Sequence, residues 1–304
     1  MSLFKSLLIT AATLLLTACG QPSETTSENK TTAETEEAIE EPTTVRIGVV
    51  GEGDGDVWQD IERRLEDVGI ELEIVVFGDY HQPNKALAAG DLELNAFQHT
   101  AFLAEYVRDT GDDIVPIGYT GYSPVYLYGK DGIDSIEDIP AGSRIGIPNT
   151  VTNAERSLLA LEDVGLITLA PDVGFTPTID DVLEVHNDIE LVELDPSQLY
   201  RSLGDLDLVT LSSGAVMDAG LDPADALYND VEAGAEINDT KKNFIAARRE
   251  DKDSEIFARI VEEYQTEETT AILKKVSASL PIWTENDDPL ADFEALLEEL
   301  NAQE

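Results

Sequence analysis

The sequence has few cysteine, histidine and basic residues. Its 304 residues include one Cys and three His, and 19 Lys and Arg stand against 63 Asp and Glu. A single cysteine excludes an internal disulfide framework and a cysteine-based metal site. The formal net charge of −44 gives a surface that repels nucleic acid, whose binding depends on cationic contacts. We therefore expect no nucleic acid partner.

The acidic residues are spread along the chain and do not form one block. Such a surface suits a protein that works in concentrated salt, where counterions screen the repulsion between like charges. This interpretation predicts that the free energy of unfolding rises as salt is added from low ionic strength.

Motifs that would carry catalysis or hold a cofactor are incomplete. Residues 51–55 contain three glycines but lack the spacing of a dinucleotide loop, and they put carboxylates where phosphates would lie. The same carboxylates alternate as calcium ligands do, without the loop glycine and distal glutamate of a calcium motif. The histidines are widely spaced, and residues 212–214 form no nucleophile elbow. We expect no enzyme activity, no cofactor and no metal.

The N-terminus has the pattern of an export signal. Lys5 precedes an apolar run at residues 7–16, which is too short to span a bilayer but has the length of a signal-peptide core. The run leads into Leu-Thr-Ala-Cys-Gly, a sequence that looks like a bacterial lipobox, with Cys19 as the residue that would receive the lipid. Residues 1–18 would then be a removed signal peptide. An ordinary cleavable signal followed by a chance cysteine is the alternative.

The segment that follows is predicted to be a disordered tether. Residues 19–43 are rich in Thr, Ser and Glu and have almost no large apolar side chains before Ile39. Such a composition cannot bury enough surface to offset the entropy of ordering. Together with lipidation of Cys19, it predicts a protein anchored to the cell membrane on its extracytoplasmic face.

Beyond the tether, strand and helix patterns alternate. This alternation predicts an α/β fold with mostly parallel sheets covered by helices. Leu290, Phe293, Leu296, Leu297 and Leu300 lie at helical spacing, so residues 284–304 are predicted to form an acidic C-terminal helix that packs loosely. The predicted strands are residues 45–50, 72–77, 92–96, 114–118, 144–147, 190–193, 206–211 and 244–247.

Two predicted strand ends place aromatic residues close together. Tyr80 follows the strand that ends near Phe77, while Phe97 and His99 follow the short strand at residues 92–96. In open α/β sheets, ligands usually lie just past the ends of the strands. A polarisable thioether packs well against ring edges, so these rings, together with a nearby Phe at position 102, could bind an apolar ligand. They could equally be ordinary core aromatics.

A second segment places an arginine near the start of a predicted helix. Thr152 or Asn153 can cap this helix, which then carries Arg156 in its first turns. A guanidinium fork near a helix N-terminus makes a good carboxylate site. The alternative is that Arg156 points into solvent or pairs locally with Glu155 or Asp163.

These segments resemble the NlpA lipoprotein family, the methionine-binding proteins of ABC importers. Residues 79–99 are similar to the family pattern DYxxPNxAL…GDxDxNxFQH. Residues 148–158 are similar to the family pattern PNDPTNxxRSL. The resemblance implies that Arg156 holds the α-carboxylate of the ligand, that Asn243 contacts its polar head, and that the following ligand-binding residues surround it: Tyr80, Phe97, His99, Phe102, Asn153, Arg156, Ser212 and Asn243.

The resemblance also implies a two-lobed, periplasmic-binding-protein-like fold of type II. Each lobe would be a mixed, mostly parallel sheet flanked by helices, and the chain would cross between the lobes twice. Lobe 1 would comprise residues 44–125 and 240–283, and lobe 2 residues 126–239.

The function that the family implies is capture of methionine, L or D, or a close derivative. The partners would be the ABC permease and ATPase subunits of an importer. The sequence departs from the family at Ser212 and Ala215, where an asparagine and a tyrosine are usual, which leaves a related ligand open. The remaining alternatives are a metal-ion receptor that uses His99 and acidic residues, and a surface adhesin.

Overall fold

The structure, a computed structural model, describes residues 42–52, 55–171, 177–276 and 279–302. The predicted signal peptide, Cys19 and all but the last two residues of the predicted tether lie outside these residues. No helix within the described part of the chain is both long enough and apolar enough to cross a membrane.

The first part of the chain alternates strands and helices. Helix α1 forms because Val57, Trp58, Ile61 and Leu65 recur at helical spacing and bury one face against the sheet. The elements are β1 (Thr43–Val50), α1 (Gly55–Glu66), β2 (Ile70–Phe77), α2 (Gln82–Ala89), β3 (Leu94–Asn95), α3 (Thr100–Thr110) and β4 (Ile114–Tyr122).

The second part continues the alternation of strands and helices. It contains β5 (Val125–Gly129), β6 (Arg144–Pro148), α4 (Val151–Asp163), β7 (Ile167–Leu169), β8 (Val182–Val185), β9 (Glu190–Leu194), α5 (Pro196–Leu199), β10 (Leu208–Ser212), α6 (Ser213–Asp218) and β11 (Tyr228–Asn229). Strands β7 and β8 pair with each other in a separate two-stranded sheet.

The last part returns to the first sheet. It contains β12 (Lys242–Arg248), α7 (Glu255–Tyr264), α8 (Glu267–Val276) and α9 (Pro289–Ala302). One five-stranded sheet has the order β2-β1-β3-β12-β4 and the other the order β11-β5-β10-β6-β9. In each sheet one strand, β12 or β5, runs antiparallel to its neighbours, and the remaining neighbouring pairs are parallel.

The two sheets define two lobes, and the chain passes between them twice. The first passage lies at residues 123–124, between β4 and β5, and the second between β11 and β12. The predicted α/β architecture with two mixed sheets is confirmed. Apolar clusters cover both faces of each sheet, so each lobe has its own core.

The C-terminal helix belongs to the core of lobe 1. Phe293 on α9 is 0% exposed and packs in the same cluster as Leu103 of α3 and Val115 of β4. Asp292 accepts a hydrogen bond from the Tyr119 hydroxyl at 2.7 Å. The prediction that this helix packs loosely is therefore wrong, because one face of it completes a core that the preceding residues leave open.

Candidate functional site

The structure brings all eight predicted site residues to one cavity between the lobes. The cavity has a volume of about 80 Å³. Lobe 1 supplies Tyr80, Phe97, His99, Phe102 and Asn243, and lobe 2 supplies Asn153, Arg156 and Ser212.

Three rings of lobe 1 form an aromatic wall, which consists of Tyr80, Phe97 and Phe102. Tyr80 follows β2, Phe97 follows β3, and Phe102 lies in the first turn of α3. The ring centroids are 6.0 Å apart for Tyr80 and Phe97 and 5.9 Å apart for Phe97 and Phe102, with edge-to-face geometry in both pairs. Ring edges arranged in this way offer favourable contacts to an apolar or thioether group.

Three buried amides hold the segments that carry the aromatic wall. This amide cluster consists of Asn84 on α2, Asn95 on β3 and Gln98, which are 1%, 0% and 2% exposed. Asn84 and Gln98 exchange two hydrogen bonds of 2.7 Å, and the Asn95 amide donates to Asn84 Oδ1 at 2.9 Å. A buried polar network of this kind fixes local geometry because every broken bond leaves a buried group unpaired.

His99 links the two lobes. Its Nδ1 accepts a hydrogen bond from the Phe102 backbone N–H at 3.2 Å, so Nε2 carries the proton and donates to Asn153 Oδ1 at 3.3 Å. Burial of the imidazole, reinforced by the positive charge of Arg156, lowers the pKa of His99 to about 3. The side chain is therefore a neutral donor at physiological pH.

Arg156 lies on α4 and is held by a guanidinium network, which comprises Arg156, Tyr122, Ser123 and Asp230. Its Nη2 donates to the Ser123 carbonyl at 2.7 Å, to the Tyr122 hydroxyl at 3.0 Å and to Asp230 Oδ2 at 3.2 Å. The Tyr122 hydroxyl in turn donates to the same Asp230 oxygen at 2.7 Å. Burial raises the pKa of Tyr122, which keeps its hydroxyl protonated as a donor. The network compensates the charge of Arg156, which is only 5% exposed.

Two atoms at the cavity lack hydrogen-bond partners. In the part of the chain that the structure describes, only three buried side-chain nitrogen or oxygen atoms have no partner: Arg156 Nε, Asn243 Oδ1 and Thr152 Oγ1. The first is a donor from lobe 2, the second is an acceptor from lobe 1, and both residues line the cavity. Because buried polar groups are nearly always paired, two such atoms at one cavity point to a bound polar group.

The cavity differs in charge from the rest of the protein. Of its lining residues within the described ranges, Arg156 is the only Asp, Glu, Lys or Arg. The described residues also contain no group of three or more His, Cys, Asp or Glu that could hold a metal ion. A site without carboxylates does not suit a hard divalent cation.

Ser212 lies at the edge of the cavity and caps α6. Its hydroxyl oxygen accepts from the Ala215 backbone N–H at 3.5 Å, a long bond that occupies little of its hydrogen-bonding capacity. Ala215 also lines the cavity, so the space that a larger side chain would fill there is left to the ligand.

Two details near Arg156 differ from the sequence predictions. Helix α4 begins at Val151, so Thr152 and Asn153 lie within it, and no side chain caps its N-terminus. Within the described residues, the carboxylate that pairs with Arg156 is Asp230, which directly follows β11, not Glu155 or Asp163.

Sequence reasoning missed the residues that support the site. Asp230 and Tyr122 hold Arg156, and the amide cluster holds the aromatic wall. Asn95 and Gln98 lie inside the first family motif, close to Phe97 in the sequence. This position is a signal that they support the aromatic wall. Asp230 gave no comparable signal, because it is one of many acidic residues.

Known proteins resemble this chain over most of its length. It is 35% identical over 240 residues to the D-methionine-binding lipoprotein MetQ of Escherichia coli K12, which covers 78% of this chain and 86% of the relative. A substrate-binding protein of a methionine transporter from Streptococcus pneumoniae has a TM-score of 0.72 and 32% identity, with 79% of this chain and 96% of the other aligned. A nutrient-binding protein from Burkholderia cenocepacia, solved bound to methionine, has a TM-score of 0.70 and 32% identity, with 77% and 99% aligned.

The family model described as NlpA lipoprotein matches residues 45–283, which span both lobes. The match includes all eight predicted site residues, and it agrees with the resemblance that the two motifs carry. This chain belongs to the NlpA lipoprotein family.

Proposed function

We propose that this protein is a lipid-anchored solute-binding protein that captures methionine, L or D, or a close derivative, and delivers it to an ABC importer. The observation that carries the proposal is the pair of unpartnered atoms, Arg156 Nε of lobe 2 and Asn243 Oδ1 of lobe 1, on residues that line a cavity with an aromatic wall. An amino acid supplies a carboxylate for the donor and an ammonium for the acceptor. Its side chain would then pack against the rings.

The charge of the site supports a zwitterion. Asp230 already compensates Arg156, so a ligand with a net charge would leave a buried charge uncompensated. A zwitterion brings both signs and leaves the net charge of the cavity unchanged. The names of the relatives in Escherichia coli and Streptococcus pneumoniae support methionine as the amino acid.

Ligand capture would couple to closure of the lobes. His99 and Asn243 come from lobe 1 and Arg156 from lobe 2, so one small molecule contacts both. A ligand shifts a conformational equilibrium only by its different affinities for the two states, and contacts to both lobes exist only in the closed state. The closed form would be the one presented to the permease and ATPase subunits.

Attachment to the membrane would come from the N-terminus. A diacylglycerol on Cys19 would hold the protein at the extracytoplasmic face of the cell membrane, and residues 19–43 would let the lobes stand away from the bilayer. The lipoprotein names of the relatives support this arrangement.

The proposal is tested by thermal-shift and titration calorimetry on the wild-type protein. L- or D-methionine should raise the melting temperature and bind with a Kd in the micromolar range or below, while divalent cations leave the melting temperature unchanged. A metal-dependent shift without any response to amino acids would instead support a metal-ion receptor. The absence of both responses would support an adhesin.

Asn243→Ala tests the predicted contact with the ammonium group. Loss of one hydrogen bond to a charged group corresponds to roughly 1.5–3 kcal/mol, or about tenfold or more in Kd. The matched control is Asn286→Ala, which removes an exposed amide outside the cavity and should bind as the wild type does. Equal affinities for the two variants would contradict the assignment.

A further inference from the structure

One of the contacts that join the lobes lies outside the set of residues proposed to bind the ligand. It involves Gly51 and Glu52, which directly follow β1 in lobe 1, and Asp218, the last residue of α6 in lobe 2. The Glu52 backbone N–H donates to Asp218 Oδ1 at 2.7 Å. The two residues are 166 positions apart and belong to different lobes, so this bond requires the lobes to be together.

The contact requires a glycine at position 51. Its φ is +72°, a conformation that residues with a side chain rarely adopt. A Cβ at this position would lie 1.9 Å from Asp218 Oδ2, and its next two neighbours, at 2.8 and 2.9 Å, are also Asp218 atoms. The close approach therefore depends on one partner side chain, and that side chain comes from the other lobe.

Both sides of the contact are continuous with the cavity. Val50 lines the cavity and is followed by Gly51 in the chain. On the other side, Ser212 and Ala215 line the cavity at the start of α6, and Asp218 ends the same short helix. The movement that brings α6 to the ligand must also bring Asp218 to Gly51.

We propose that Gly51, Glu52 and Asp218 form a closure latch that stabilises the closed state and thereby sets the affinity for the ligand. This inference rests on the proposed function, since it assigns the latch to the same closing movement. The apparent Kd of a protein that binds only in one state is inversely proportional to the population of that state. The latch therefore tunes affinity without touching the ligand.

Three variants test the latch: Gly51→Ala, Asp218→Ala and the double variant. Gly51→Ala places a methyl group against the Asp218 carboxylate and should weaken methionine binding at least tenfold. Asp218→Ala removes one charge-assisted hydrogen bond and should weaken binding by roughly three- to tenfold. In the double variant the obstacle to the new methyl group is gone, so it should bind no more weakly than Asp218→Ala and better than Gly51→Ala.

The matched control is Gly69→Ala. Gly69 has a similar φ of +78° in the same lobe, but a Cβ there meets nothing within 4 Å. It carries the same backbone strain without the contact between lobes, so methionine should bind it as it binds the wild type. An affinity loss in Gly69→Ala equal to that in Gly51→Ala would overturn the latch, and so would a double variant as weak as Gly51→Ala.

Small-angle X-ray scattering separates failure of the latch from failure of the proposed function. If the wild type binds no amino acid, the proposed function fails, but the latch still predicts a larger radius of gyration for Gly51→Ala than for the wild type and the double variant. If the wild type binds methionine and all variants have equal affinities and equal radii of gyration with ligand, the latch is wrong and the function stands.

Discussion

The two sides of the cavity are built in different ways. The aromatic wall of lobe 1 is held by the amide cluster, whose members are 3 to 14 residues apart in sequence. The guanidinium network around Arg156 depends on Asp230, which is 74 residues away in the sequence, and on Tyr122, which ends β4 of lobe 1. The first side is uncharged and locally determined, whereas the second is charged and depends on contacts that are distant in the sequence. The comparison predicts that apolar selectivity and charge recognition are separable here.

Arg156→Ala should have the largest effect, because it acts on both recognition and stability. Amino acid binding should weaken at least tenfold. Removal of one partner of a buried ion pair should also lower the free energy of unfolding by about 3–5 kcal/mol, since Asp230 is left uncompensated. Titration calorimetry and urea unfolding measure the two effects.

Arg156→Lys is the matched control for the stability effect. It keeps a cation beside Asp230 but loses the planar fork, so unfolding should change less than in Arg156→Ala while binding remains weak. Wild-type affinity in either variant would show that the guanidinium of Arg156 does not bind the ligand.

Acid should disrupt the hydrogen bond that His99 Nδ1 accepts from the Phe102 backbone N–H, because protonation of the neutral imidazole occupies that nitrogen. The pKa of this imidazole in the folded protein is about 3, below the ordinary value of 6.5, so the unfolded chain takes up the proton first. The stability contribution is full above about pH 6.5 and is lost as pH falls towards 3, by up to about 1.4 kcal/mol per pH unit.

His99→Gln should remove this contribution, which urea unfolding at pH 7.5, 5.5 and 4.5 would measure. The control is His81→Gln, which changes a histidine whose side chain is 58% exposed, and it should keep the wild-type pH dependence. The same slope in all three proteins would show that His99 does not control acid stability.

Phe97→Ala should change the selectivity of the site more than its recognition of the amino acid head group. Loss of one ring contact, worth roughly 0.3–1.5 kcal/mol, should weaken methionine binding up to about tenfold while alanine binding stays nearly constant. Arg156→Lys should instead weaken both ligands by the same factor. Competition calorimetry with methionine and alanine gives the ratio of the two affinities. Equal losses of affinity for both amino acids in Phe97→Ala would contradict separate roles for the two sides of the cavity.

Salt should have the smallest effect on the site and a visible effect on the whole protein. The protein has a net charge of −44, and none of the acidic residues that the structure describes lines the cavity, so added salt screens repulsion elsewhere on the protein. We expect the free energy of unfolding to rise between low and molar NaCl, while methionine affinity changes little because the buried ion pair is poorly screened. Unfolding that is unchanged or easier in salt would contradict this view of the acidic surface.

The sequence contained enough information for the fold class and for the side chains that reach the cavity. The sequence patterns located β1, β6, β12 and α1 within a few residues, because the strands contain runs of buried residues and the helix buries one face. Periodicity is less informative on the edge strand β2, because Val76 lies within the predicted strand at residues 72–77 and is apolar, yet it is 53% exposed. The ligand roles of the eight cavity residues remain predictions.

The remaining features depend on contacts that are distant in sequence. The pairing of Arg156 with Asp230 could not be chosen among 63 acidic residues without the folded lobe. The approach of Asp218 to Gly51 likewise depends on the relative placement of two sheets. The tight packing of α9 could not be inferred from its amphipathic pattern alone, because the pattern does not reveal which core still has an opening.

The position of β12 has a consequence for biosynthesis. This strand lies between β3 and β4 in lobe 1, but it is synthesised after every strand of lobe 2. Lobe 2 is contiguous and can fold as soon as its residues emerge from the ribosome or the export channel, whereas lobe 1 must wait with β3 and β4 unpaired on facing edges. We therefore expect maturation to be limited by lobe 1, and chaperone dependence to concentrate on those waiting strands.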